Sequence, residues 1–138
     1  MKYDYSLKKQ FVSDKKVFVI DNGLRNEIAF STSEDRGRLL ENLVFIELKR
    51  RGREIYFFKN KKECDFLVKE KNKIISAIQV TTHLGDENQE RELDGLLGAL
   101  EASRLKKGLI LTINQEKTIR RNGVLIEVKP LWKWLIDN

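Results

Sequence analysis

The chain has 138 residues, 41% of them hydrophobic and 35% charged, with 27 Lys and Arg against 21 Asp and Glu for a formal net charge of +6. That composition is a globular, highly charged one rather than a disordered one, and the single cysteine, Cys64, excludes an intramolecular disulfide framework and points to a reducing compartment. No apolar run nears the roughly 20 residues that span a bilayer, and MKYDYSLKKQ lacks the apolar region of a secretory signal, so the expectation is a cytoplasmic protein with no membrane partner.

Residues 1–14 read as irregular or partly helical. Val17, Phe18, Val19 and Ile20 form a short β-branched run, hence an extended segment, and Asp21-Asn22-Gly23 opens a short helix through Ala29. Ser33 can cap the next helix. GRLLENLVFIELKRRG is a strong one: Leu39, Leu43 and Ile46 form one row and Leu40 and Val44 another. Gly52 stops it after Lys49, Arg50 and Arg51 have placed positive charge at the negative end of the helix dipole.

Three strand-like runs follow, at Ile55 to Phe58, Glu63 to Lys69 and Ile74 to Thr81, with short polar connections that predict an antiparallel meander. In the second run, strict alternation puts Cys64, Phe66 and Val68 on one face and Glu63, Asp65 and Leu67 on the other. A second helix is expected from Glu87 to Ser103, with Gly95 and Gly98 permitting close packing on the sheet. Leu109 to Ile113 is a buried strand reached by a crossover, Val124 to Val128 one more strand, and Leu131 to Ile136 a short helix opened by Pro130. With one proline and no Gly/Ser-rich linker, residues 1–138 read as one unit: an extension over 1–35, a core over 36–113, and a C-terminal strand and helix over 114–138. The fold class is α/β, with an α-β-β-β-α-β core and a mixed sheet flanked by helices.

Residues 1–73 hold 18 basic and 12 acidic side chains and the remainder nine of each, so the whole positive excess lies in the first half. Such a field favours an anionic partner, DNA above all. The cations best placed for phosphates are Lys49, Arg50, Arg51, Arg53, Lys59, Lys61 and Lys62. The acids Asp86, Glu87, Glu90, Glu92 and Asp94 read as a solvated helix face turned away from DNA.

Asp65 stands in a strand otherwise made of Phe, Leu and Val, where a carboxylate is costly unless solvated, paired or metal-bound. Glu63 shares its face, the hairpin spacing brings Gln79 beside it, and Glu41 interrupts the apolar face of the first long helix. Two or three converging carboxylates form a hard-oxygen site suited to Mg²⁺ or Mn²⁺, which activates water and neutralises phosphodiester charge. His83, Cys64, Trp132 and Trp134 read as a turn residue, a core residue and the packing surface of the last helix.

The element order, with Glu41, Asp65 and Gln79-Val80-Thr81 in sequence, resembles the restriction-endonuclease-like, or PD-(D/E)XK, nuclease superfamily. The runs KKVFVIDNGLRNEIAF, GRLLENLVFIELKRRG, ECDFLV and IQVTT together resemble the C-terminal domain of archaeal-type AAA ATPases. The resemblance implies a metal-dependent endodeoxyribonuclease. Asp65 would be the central metal ligand, Glu41 a second, the Val80 carbonyl a third, and Glu63 would partly replace the acid absent at Gln79. Thr81 stands where the family has its catalytic lysine, with Lys69 and Arg91 as substitute cations. That departure keeps a second expectation open: a non-catalytic interaction or dimerisation domain that docks on an AAA ATPase or a second copy. No GxxxxGK[ST] loop is present, so ATP binding of that kind is not expected.

Overall fold

The computed structural model describes residues 33–59 and 61–137. The expectations for 1–14, 17–20 and 21–29 lie outside the described residues. Helix α1, Ser33–Arg50, starts earlier than Gly37. It ends in a left-handed turn at Gly52, where φ is +73°. The Gly52 N–H donates to the Lys49 carbonyl (2.9 Å) and the Arg53 N–H to the Leu48 carbonyl (3.0 Å), the pairing of a Schellman cap.

Strands β1 (Glu54–Lys59), β2 (Glu63–Glu70) and β3 (Lys73–Val80) form the expected antiparallel meander. Lys71 and Asn72, both at positive φ, make the tight β2–β3 turn. Helix α2, Gln89–Ser103, crosses over the sheet and delivers β4 (Lys107–Thr112) parallel to β3. A hairpin follows: β5 (Lys117–Arg121), the Asn122-Gly123 turn at positive φ, and β6 (Val124–Pro130). Strand β6 inserts parallel to β4, so the sheet order is β1-β2-β3-β4-β6-β5. Helix α3, Leu131–Ile136, closes the described part. The fold is thus α/β, with a mixed six-stranded sheet and three helices among the described residues. No helix among them is long and apolar enough to cross a membrane.

Each face of the sheet is covered separately. Leu93, Leu96, Ala99 and Leu100 of α2 pack on Leu67, Ala77, Ile110 and Ile126. On the other face Val44 and Leu48 of α1, with Leu131 and Trp134 of α3, pack on Phe66, Val68, Ile78 and Leu111. The two tryptophans divide: Trp134 is core, whereas Trp132 is 58% exposed.

Two expectations need correction. Strand β5 was absent from the sequence reading because its KTIRR is mostly exposed at the sheet edge and carries no apolar alternation. The strict alternation expected in β2 is also broken. Tyr56 pairs with Leu67 and Phe58 with Cys64, so two steps on β1 face three on β2. This extra residue, a β-bulge at Asp65-Phe66, puts Cys64 in the α2-side core with Leu67 while Phe66 and Val68 stay on the α1 side.

Candidate functional site

The parallel strands β3 and β4 end together, and β3 leaves the sheet at Thr81 toward α2. In open α/β sheets this carboxyl end of the strands is where ligands bind. Antiparallel β2 brings its beginning, Glu63 and Asp65, to the same end. The N-terminal half of α1 contributes Arg38 and Glu41, and the β1–β2 turn contributes Lys59, Lys61 and Lys62. Together with Glu87, Asn88, Arg91 and Glu92 they line a cleft of about 1100 Å³.

Asp65 and Gln79 interlock at its floor. The Gln79 Oε1 accepts from the Asp65 N–H at 2.8 Å, its Nε2 donates to the Glu63 carbonyl at 3.2 Å, and the Val80 N–H donates to Asp65 Oδ2 at 2.8 Å. Side chains thus continue the link between β2 and β3 beyond Phe66 and Ile78, where the main-chain pairing ends, and both side chains are held in one orientation. The hairpin juxtaposition expected from spacing is present.

Glu92 is the residue that sequence reasoning misplaced. It is 9% exposed and lines this cleft, so the acidic stretch does not all face away from it. Burial, and then the negative charge of Asp65, push its carboxyl above the ordinary range, while the Arg91 guanidinium and a hydrogen bond from Gln79 work against the shift. Arg91 Nη2 lies 3.3 Å from Glu92 Oε1. The signal was present in the sequence: Glu92, Leu96 and Ala99 share one helical stripe, the same interruption that singled out Glu41. Gly95 allows this approach. A Cβ there would lie 2.3 Å from the Glu63 carbonyl oxygen, so α2 presses its backbone onto the strand that carries Asp65.

The other expected site residues divide. Glu41, Glu63, Val80 and Thr81 line the cleft with Asp65 and Gln79, as do Lys59, Lys61 and Lys62. Lys49, Arg50, Arg51 and Arg53 do not. They lie at the far end of α1, Arg50 about 13 Å along the axis from Glu41 by helical rise. Their charges are engaged there: Arg50 and Arg51 pair with Glu47 at 2.6 and 2.8 Å, Arg53 with Glu70 at 3.3 Å, and Lys49 lies 5.9 Å from the Phe45 ring centre. The Thr81 hydroxyl is engaged by the loop that follows β3. Its hydroxyl donates to the His83 carbonyl and accepts from Asn88 Nδ2, both at 3.3 Å. Arg91 does reach the cleft, whereas Lys69 lies 5.6 Å from the Tyr56 ring centre. Among the described residues no three His, Cys, Asp or Glu side chains lie close enough together to hold a metal by themselves.

Two relatives share most of this chain. It is 38% identical over 142 residues to a Methanocaldococcus jannaschii protein, uncharacterized protein MJ1544, covering 95% of this chain and 31% of the relative. It is 33% identical over 136 residues to an uncharacterized Haemophilus influenzae protein, covering 98% of this chain and 32% of that one. The chain therefore spans about a third of the length of these curated relatives. Residues 36–134, from the first turn of the cleft helix to the buried Trp134, match the family described as "Domain of unknown function (DUF4143)", and the chain belongs to that family.

Proposed function

We propose that this domain is a nucleic-acid-binding module of the restriction-endonuclease-like type whose cleft hydrolyses phosphodiesters with Mg²⁺ or Mn²⁺. The observation that carries the reading is the interlocked Asp65–Gln79 pair with Glu92 buried against it. The Glu92 carboxyl, whose ionisation burial and the neighbouring Asp65 charge oppose, would gain from a bound dication. Their hard oxygens suit Mg²⁺, which is commonly held by one or two carboxylates, water and substrate phosphate oxygens rather than by a full protein cage. Asp65 and Glu92 would hold the ion, with the Val80 carbonyl as a further oxygen donor and Glu41 acting through water. When bound, the ion lowers the pKa of its water and offsets phosphate charge. Gln79 keeps Asp65 oriented, Lys59, Lys61 and Lys62 bind flanking phosphates, and Arg91 supplies positive charge beside the acids in place of the lysine absent at Thr81.

The test is cleavage of plasmid and single-stranded DNA with Mg²⁺ or Mn²⁺ by the wild type and Asp65→Ala. Cutting by the wild type alone is the expected result, and equal cutting by both overturns the assignment.

The engagement of Thr81 with His83 and Asn88 favours a second reading: a domain on the same fold that binds without cutting and docks on an AAA ATPase or a second copy. The relatives carry this segment within chains about three times as long, which suits such a module. If Gln79→Glu with Thr81→Lys cuts DNA where the wild type does not, this second reading holds.

A further inference from the structure

A second cleft, of about 960 Å³, lies across the β1–β2 turn from the first, and Lys61 and Lys62 line both. Its other cations are Arg104 and Lys106, and its apolar wall is formed by Phe58, Leu97, Leu105 and Val124. Among the described residues the first cleft is balanced, with five cations against five acids, whereas the second carries four cations against Asp94 and Glu101. None of these four cations makes an ion pair with a described residue, unlike Arg50, Arg53, Lys107, Arg121 and Lys133 elsewhere.

Two residues of this cleft run against local preference. Gly98 sits in the interior of α2, where glycine weakens a helix. Packing does not demand it: a Cβ there would meet only Phe58 Cε1, at 3.8 Å, in contrast to the collision at Gly95. Arg104 occupies the left-handed cap of α2 at φ 58°, the position that favours glycine. A side chain is missing where the helix would take one, and a long cation is kept where the backbone would rather have none. Both departures leave an open groove with positive charge at its mouth, and departures from local preference without a packing reason concentrate at functional positions.

We infer that this second cleft is a binding groove for single-stranded nucleic acid, continuous with the first across Lys61 and Lys62. The strand's phosphates meet Lys61, Lys62, Arg104 and Lys106, and its sugars and bases lie on Phe58 and the aliphatic wall, the pairing of basic groove and apolar platform that single strands use. The inference rests on the nucleic-acid reading of the first cleft and extends it from a local site to a track.

The test is fluorescence anisotropy of labelled single-stranded DNA, metal-free, with short oligonucleotides that fill one cleft and ones long enough to cross both. The variants are Arg104→Gly, which removes the cation and suits the left-handed cap, and Gly98→Leu, which fills the groove and favours the helix. Both are expected to fold, with thermal melting as the check. The expected result is about tenfold weaker binding of the long strand, a salt dependence shallower by about one ion for Arg104→Gly, and a smaller loss for the short one, which the first cleft still holds. Wild-type binding that neither variant weakens overturns the groove and leaves the first-cleft reading standing. No binding of either strand by the wild type overturns both.

Discussion

The two ends of α1 use charge in opposite ways. At its C-terminal end Arg51 bonds Glu47 at 2.8 Å and the carbonyls of Trp134 and Asp137 at 3.0 and 3.1 Å, with its guanidinium 4.5 Å from the Trp134 ring centre. These bonds tie α1 to α3, and the cations there are committed to the fold. At its N-terminal end Arg38 and Glu41 border a cleft in which Glu92 is held buried near Asp65 at an electrostatic cost. A corner that satisfies its charges stabilises the fold, whereas the cleft keeps the Glu92 carboxyl buried at a cost that a cation, on the proposed reading, would relieve. Sequence composition counts both sets of basic residues alike, and only their partners tell them apart.

The sharpest break in this contrast is Asp65→Ala, expected to lower metal-dependent cleavage by at least about a hundredfold while costing only about 1–2 kcal/mol, for the acceptor lost to the Val80 N–H. Next comes Gly95→Ala. Its Cβ collides with the Glu63 backbone, so it is expected to cost about 2–4 kcal/mol in urea unfolding. Arg51→Ala should cost about 1–2 kcal/mol by losing its carbonyl bonds and its contact with Trp134, yet leave DNA affinity unchanged. Lys61→Ala with Lys62→Ala is expected to do the reverse, weakening DNA binding and shifting stability by less than about 0.5 kcal/mol.

The smallest effects are titrations of opposite sign. The Glu92 carboxyl is raised, so folding is penalised increasingly as pH climbs from the ordinary carboxylate value through the raised one. Glu92→Gln removes that penalty and should raise Tm at pH 7 by about 2–4 °C while impairing metal binding. Glu47, hydrogen-bonded by Arg50 and Arg51, is lowered from 4.5 to about 2. Its contribution is complete above about pH 4.5 and is lost as pH falls toward 2, so Glu47→Gln should flatten the acid limb of a Tm–pH profile there.

Much of the architecture was legible because apolar periodicity carried it. Leu40 and Val44 marked α1, Leu93, Leu96 and Leu100 marked α2, and β-branched runs marked β3 and β4. Strand β5 was not legible by that route, since an exposed edge strand needs no apolar face, although Asn122-Gly123 was a hairpin signal. The pairing of Asp65 with Gln79 followed from hairpin spacing. The bulge beside Asp65 did not, because an extra residue in a strand leaves no mark in composition and only the pairing with β1 reveals it. Glu92 was hidden among neighbouring acids, its burial set by how closely Gly95 lets the helix approach. The split of the basic residues was legible only in part: Glu47 stands three and four residues before Arg50 and Arg51, a spacing that pairs on a helix, whereas the pairing of Arg53 with Glu70 is tertiary.

Calorimetric titration of Mn²⁺ into the wild type, Asp65→Ala and Glu92→Gln tests the central assignment most directly. The account predicts saturable binding by the wild type, abolished by Asp65→Ala and weakened by Glu92→Gln, with all three proteins folded by circular dichroism. Binding that is unchanged in both variants, or absent from the wild type in the presence of DNA, would contradict it.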